Sequence, residues 1–250
     1  MFESKAVKEY IELRKLGGLA PNKEQKIDIL HRIEDLISIN IRDKQLMLKI
    51  CEDNPINFNN LPGLYKKDKN FVFNVFEKAS SLVSVDFNKI DKSLHDNKEL
   101  GLLFIKKGGK INSLPKELLS SKEVLLVSLE YSTKTIEYIK EPLLSDIDFA
   151  KKALNIDSTY IKVFSESLGN NIEIVKLAIN DRISNLQYIN KEMLDNDEVC
   201  FEALQNNDHE IVLKYFSDRI KEKIKNIGIE NYMQENENKS FLHRIKKRLF

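Results

Sequence analysis

Residues 113–130 read "SLPKELLSSKEVLLVSLE". The same statement returns at 138–155 as "YIKEPLLSDIDFAKKALN", at 163–180 as "VFSESLGNNIEIVKLAIN" and at 188–205 as "YINKEMLDNDEVCFEALQ", always 25 residues on. In register, Ser120, Ser145, Asn170 and Asp195 share a column, and three residues later stand Glu123, Asp148, Glu173 and Glu198. A short oxygen-bearing side chain followed at that distance by an acid is the sequence form of a helix N-cap with its reciprocal partner. The acid also falls in the first turn, where the helix dipole favours it. The columns therefore predict four helices that start at one phase.

The next column is apolar each time: Val124, Phe149, Ile174, Val199. Four residues on comes a small side chain, Ser128, Ala153, Ala178 or Ala203, and then Leu129, Leu154, Ile179 or Leu204. Positions so spaced share one helical face, and the small residue admits a close neighbour. This gives a first helix of about ten residues per unit. A shorter second helix should carry Tyr138-Ile139, Val163-Phe164, Tyr188-Ile189 and Tyr215-Phe216, and must pack on the first because so short a helix is unstable alone. Upstream the pattern continues with drift. Ile90, Leu94, Asp96, Glu99 and Leu100 keep the columns, whereas Lys67 stands where a cap is expected before Phe71. About seven units fit between residues 36 and 228, clearest over 89–216. Units repeating at that period predict an all-α fold, a right-handed or irregular α-solenoid of ~25-residue two-helix repeats with helical caps.

Residues 1–35 read as the N-terminal capping helices. The first, around 3–16, places Val7, Tyr10, Ile11 and Leu13 near one face and is expected to break at Gly17-Gly18. A second starts after Pro21 with Asn22 as cap and runs to about residue 39. Residues 229–250 read as linker and tail: 234–240 are polar and acidic, whereas Phe241, Leu242, Ile245 and Leu249 fall on one helical face beside Arg244, Lys246, Lys247 and Arg248. Such a basic amphipathic helix can cap the last repeat, dock on an acidic partner or lie on an anionic membrane. Its contact residues are Phe241, Arg244, Ile245, Lys247 and Arg248.

Composition narrows the function classes. An apolar share of 42% supports a core, and a formal net charge of +1 supplies no global field for nucleic acid or membrane. Residues 111–228 hold 15 Lys and Arg against 20 Asp and Glu, a net of −5, which argues against a phosphate-tracking groove. Charges interrupt the first fifteen residues, so no secretory signal is read there, and no run approaches the ~18–20 apolar residues of a bilayer span. The expected location is the cytoplasm of a producing bacterium, with delivery into another cell left open.

Catalytic motifs are sparse. "KKGGK", Lys106 to Lys110, lacks the strand and the Ser or Thr of a phosphate-binding loop, and reads as helix termination. His31 and Glu34 could share a helix face, but no second pair completes a metal set. Cys51 and Cys200 fall in apolar columns and read as small buried hydrophobes. No catalytic residue, metal or cofactor is expected. One irregularity remains. The outward face of the first helix is polar at Lys151, Lys152, Lys176 and Glu202, yet apolar at Leu102, Leu103, Leu126 and Val127, with Phe73 one unit earlier. These five are the candidate partner-binding residues. Either they form an exposed interface, or the N-terminal segment folds back and buries them.

At Ile136, Tyr138, Leu143, Ser145-Asp146, Asp148, Phe149 and Ala153, and again at Leu186, Tyr188, Met193, Asp195-Asn196, Glu198, Val199 and Ala203, the chain resembles the bacterial and protist repeats catalogued as domain of unknown function 4116. The resemblance covers 89–216, extends more weakly over 60–216, and departs at Val163, where the aromatic is missing, and in the two earliest units. It implies an all-helical repeat array with no defined activity, among proteins of host-associated bacteria. Together these readings predict a non-enzymatic protein-binding scaffold: an effector, immunity protein or inhibitor acting by stoichiometric binding. The partner is another protein; nucleic acid or a membrane surface is the alternative.

Overall fold

The computed structural model describes residues 3–205 and 207–249, with the backbone alone over 241–249. The described residues form α-helices and 3₁₀-helices joined by turns, bends and short irregular stretches, without a strand. The chain divides into two compact units, Met1–Tyr131 and Ser132–Phe250. The first holds α1 (Lys5–Leu19), α2 (Lys23–Ile39), α3 (Lys44–Asp53), α4 (Gly63–Lys66), α5 (Lys69–Lys78), α6 (Lys98–Lys106), α7 (Lys116–Leu119) and α8 (Lys122–Tyr131). The second holds α9 (Ile147–Ile156), α10 (Ile161–Leu168), α11 (Ile172–Asp181), α12 (Asp197–Gln205), α13 (His209–Leu213), α14 (Asp218–Ile227) and α15 (Ile229–Leu249).

The repeated helix is present at the expected interval. α8, α9, α11 and α12 begin at Lys122, Ile147, Ile172 and Asp197, 25 residues apart. α3, α5 and α6 continue the series upstream. The third, fourth, seventh and eighth residues of each helix are buried, as Val124, Leu125, Ser128 and Leu129 are in α8. That arc is the core face.

The caps lie one residue later than the column read from the sequence. Asn171 Oδ1 accepts the N–H groups of Glu173 at 3.1 Å and Ile174 at 3.2 Å, and Asn196 Oδ1 those of Glu198 at 2.9 Å and Val199 at 3.2 Å. Asp146 caps Phe149 at 2.9 Å. The preceding residues serve elsewhere: Asn170 accepts from Asn190, and Asp195 pairs with Arg219. With this shift the anomaly at Lys67 disappears, because Asp68 caps α5, as Asp43 caps α3 and Asn97, not Asp96, caps α6. The acids then stand second in the helix rather than third, and Glu173 and Glu198 reach sideways to Lys151 and Lys176 on the preceding repeated helix.

The shorter second helix alternates between two forms. Thr133–Tyr138 and Ile183–Tyr188 are 3₁₀, whereas α10 and α13 are short α-helices in that place. A further turn follows before each cap, as at Leu143–Ser145 and Met193–Asp195. Each of the four clearest units therefore holds one α-helix of nine or ten residues, followed by a second α-helix in two of them and by 3₁₀ segments in the other two. Buried polar side chains stitch them together in the second unit: Asn185 Nδ2 donates to Ala178 O at 2.9 Å and to Ser158 Oγ at 3.0 Å.

At the N-terminus α1 runs through Gly17-Gly18 to Leu19 rather than breaking there. A methyl at Gly17 would stand 3.4 Å from Ile29 Cγ2, an ordinary van der Waals contact, so α2 packs against α1 at this point through Ile29. Asn22 caps α2 as expected, accepting from Gln25 at 2.9 Å. At the C-terminus the polar run 234–240 is helical. α15 is continuous from Ile229, because Tyr232 and Asn236, one turn apart, are buried where α15 packs on α12. The side chains of the tail residues Phe241, Arg244, Ile245, Lys247 and Arg248 lie outside the described residues.

Candidate interaction surface

The two sides of the repeated helix that flank its solvent face decide what each unit shows to the outside. In the second unit the fifth residue of one helix reaches the second and sixth residues of the next. Lys151 on α9 pairs with Glu173 on α11 at 2.7 Å. Lys176 on α11 pairs with Glu198 at 3.0 Å and Glu202 at 2.8 Å on α12. Burial alone would lower the Lys176 pKa, but Glu202 and Glu198 outweigh it and hold the ammonium above its ordinary value. The exposed Lys151–Glu173 pair contributes little, whereas Lys176 and Glu202 are half-buried and less screened by solvent.

In the first unit the fifth column is apolar throughout, and the sixth is apolar in α6 and α8. The fifth residues of α3, α5, α6 and α8 are Leu48, Phe73, Leu102 and Leu126; Leu103 and Val127 occupy the sixth place in α6 and α8. By the offset seen at Lys176 and Glu202, Phe73 stands opposite Leu103, and Leu102 opposite Val127. Phe73, Leu102, Leu103, Leu126 and Val127 are all half-buried. Neither of the two expected extremes holds: the five are not open to solvent, and they are not core. Each sits on the flank of its helix beside the core face and keeps part of an apolar side chain at the surface. Leu48 belongs to the same series and was not singled out from the sequence, although its column would have identified it.

Behind this apolar flank lies an aromatic core. Phe104 sits 5.1 Å from Phe87, edge to face, and 5.6 Å from Phe76, which in turn is 5.7 Å from Phe58, between ring centroids. The "KKGGK" segment closes α6 over this cluster. Gly109 N–H reaches Phe104 O and Gly108 N–H reaches Ile105 O, each at 2.9 Å, with Gly108 at φ +79°, a Schellman termination. Lys107 Nζ caps the end of α5, donating to Glu77 O at 2.7 Å and Ala79 O at 3.0 Å.

The remaining chemistry-bearing side chains are dispersed. His31 and His209 are exposed on separate helices, and His95 faces Ile90 O at 3.1 Å. Among the described residues no three His, Cys, Asp or Glu stand close enough to hold a metal. Cys51 and Cys200 are buried, and burial pushes each thiol up to about 12, which keeps them unreactive in the folded state. A cleft of about 680 Å³ in the second unit is bounded by Lys176, Phe201, Glu202, Asn236 and Lys239, a mixed-charge lining with Lys176 already paired. No helix among the described residues is long and apolar enough to cross a membrane.

Comparison with known families meets the repeat at the corrected caps. Residues 146–193 and again 171–221 match the family described as Domain of unknown function (DUF4116). The two matches begin at Asp146 and Asn171, the N-caps of α9 and α11, one period apart. Each covers about two periods. No curated protein and no solved structure matches the chain.

Proposed function

We propose that this chain is a non-enzymatic helical-repeat scaffold that binds another protein. In this reading its repeats stack as an α-solenoid, and it acts as an effector, immunity protein or inhibitor by stoichiometric occlusion of the partner. The observation that carries the reading is the run of apolar side chains Leu48, Phe73, Leu102 and Leu126 at the fifth place of the first unit's repeated helices, where α9 and α11 carry the ion-paired Lys151 and Lys176. Nothing in the stability of a repeat demands leucine there, since Lys176 and Glu202 serve the same columns. Apolar side chains kept at a surface where charge would serve mark an interface.

The test exploits that equivalence. Leu102→Lys with Val127→Glu copies the Lys176–Glu202 pair into the first unit and should leave the helical circular dichroism unchanged. Partner captured from the producing cell by the wild type should bind the double variant at least tenfold more weakly, about 1.4 kcal/mol. Equal binding by a folded double variant removes Leu102 and Val127 from the interface. Capture that collapses with modest added salt would instead point to a nucleic-acid ligand.

A further inference from the structure

The α1–α2 hairpin carries a second apolar face, separate from the flank that bears Leu102 and Leu126. Seven of the seventeen side chains of α2 are Ile or Leu, yet only Leu36 is buried. α2 packs on α1 through the side that bears Ile29. Its far side presents a stripe spaced four, three, four and three residues: Lys23, Ile27, Leu30, Glu34 and Ile37. Ile27 is 42% exposed and Leu30 53%, and at the hairpin tip Leu19 is 79% exposed. An amphipathic helix with one apolar side against a single neighbour, and a second apolar side open, has an unfilled packing surface.

The charges on the stripe select what fills it. We propose that the face docks a second copy of this chain, α2 against α2, antiparallel about a twofold axis between Ile27 and Leu30. In that alignment residue k meets residue 57 − k of the other copy. Ile27 then meets Leu30 and Lys23 meets Glu34, each pair occurring twice, as an isologous interface requires. A parallel pairing would set Lys23 on Lys23 and Glu34 on Glu34, so the charges choose the direction as flanking charges do in coiled coils. Lys23 and Glu34 have no ion-pair partner among the described residues of their own chain. Ile37 of one copy runs past the start of α2 in the other, toward the tip where Leu19 is open. Two hairpins so joined form a four-helix arrangement.

Light scattering on the eluting 250-residue chain across the micromolar range tests this. The dimer has twice the 29.1 kDa chain mass. Leu30→Glu should return the chain to 29.1 kDa with unchanged helical circular dichroism, since the side chain is exposed in the single copy. Lys23→Glu should raise the dimer dissociation constant at least tenfold, and Lys23→Glu with Glu34→Lys should recover most of that loss. A wild type that stays at the single-chain mass overturns the proposal. So does a Leu30→Glu variant that remains dimeric, or a charge-exchanged double variant that does no better than Lys23→Glu.

Discussion

Val199→Asp is expected to lower the unfolding free energy by about 3–5 kcal/mol, the usual cost of a buried charge left without a partner. Val199 is the third residue of α12 and has no exposed surface. The same column in the other repeated helices, from Leu46 to Ile174, is also buried, so the position belongs to the core face wherever the unit occurs. The aspartate would either ionise beside apolar groups or hold its proton at the cost of a raised pKa, and both routes penalise the fold. Urea denaturation followed by circular dichroism reads the loss directly. A neutral outcome would mean that this column does not face the core, and the repeat register would fall with it.

Phe104→Ala is expected to cost about 3–5 kcal/mol, the range for deleting a buried aromatic ring. Phe104 has no exposed surface and its ring meets Phe76 and Phe87. It also supports the turn that follows α6. A methyl built on Gly109 would fall 2.3 Å from the ring, so the backbone lies directly on it. Removing the ring leaves a cavity and loosens that termination together. The cost should be read as a shift of the urea midpoint, with Leu102→Ala as a control whose half-buried side chain should lose far less. Equal losses at the two sites would contradict the division between core and flank.

The period, the helical class and the core columns were legible in the sequence because burial repeats with the helix. Val124, Phe149, Ile174 and Val199 face inward for one reason, and that reason recurs every 25 residues. The cap register was not legible, since each start offers two adjacent candidates: Ser120-Ser121, Ser145-Asp146, Asn170-Asn171 and Asp195-Asn196. Either side chain can cap, and packing of the preceding turn decides which. The 3₁₀ character of the second segment in two of the units was hidden for a related reason. Its residues are held by tertiary contacts such as Asn185 to Ala178 O, which leave no local periodicity to read. The continuity of α15 through its polar stretch rests on Tyr232 and Asn236, two inward residues too few to show as an apolar stripe. The half-burial of Leu102 and Val127 follows from how far one helix reaches over the next, a distance that single-helix patterning does not contain.

The repeat itself is tested most directly by backbone carbon chemical shifts measured by nuclear magnetic resonance across residues 118–205. The account predicts four helical runs that begin at Lys122, Ile147, Ile172 and Asp197, with extended shifts at Asp146 and Asn171 immediately before two of them. Helical shifts running unbroken through Asp146 and Asn171, or runs that begin at unequal intervals, would contradict it.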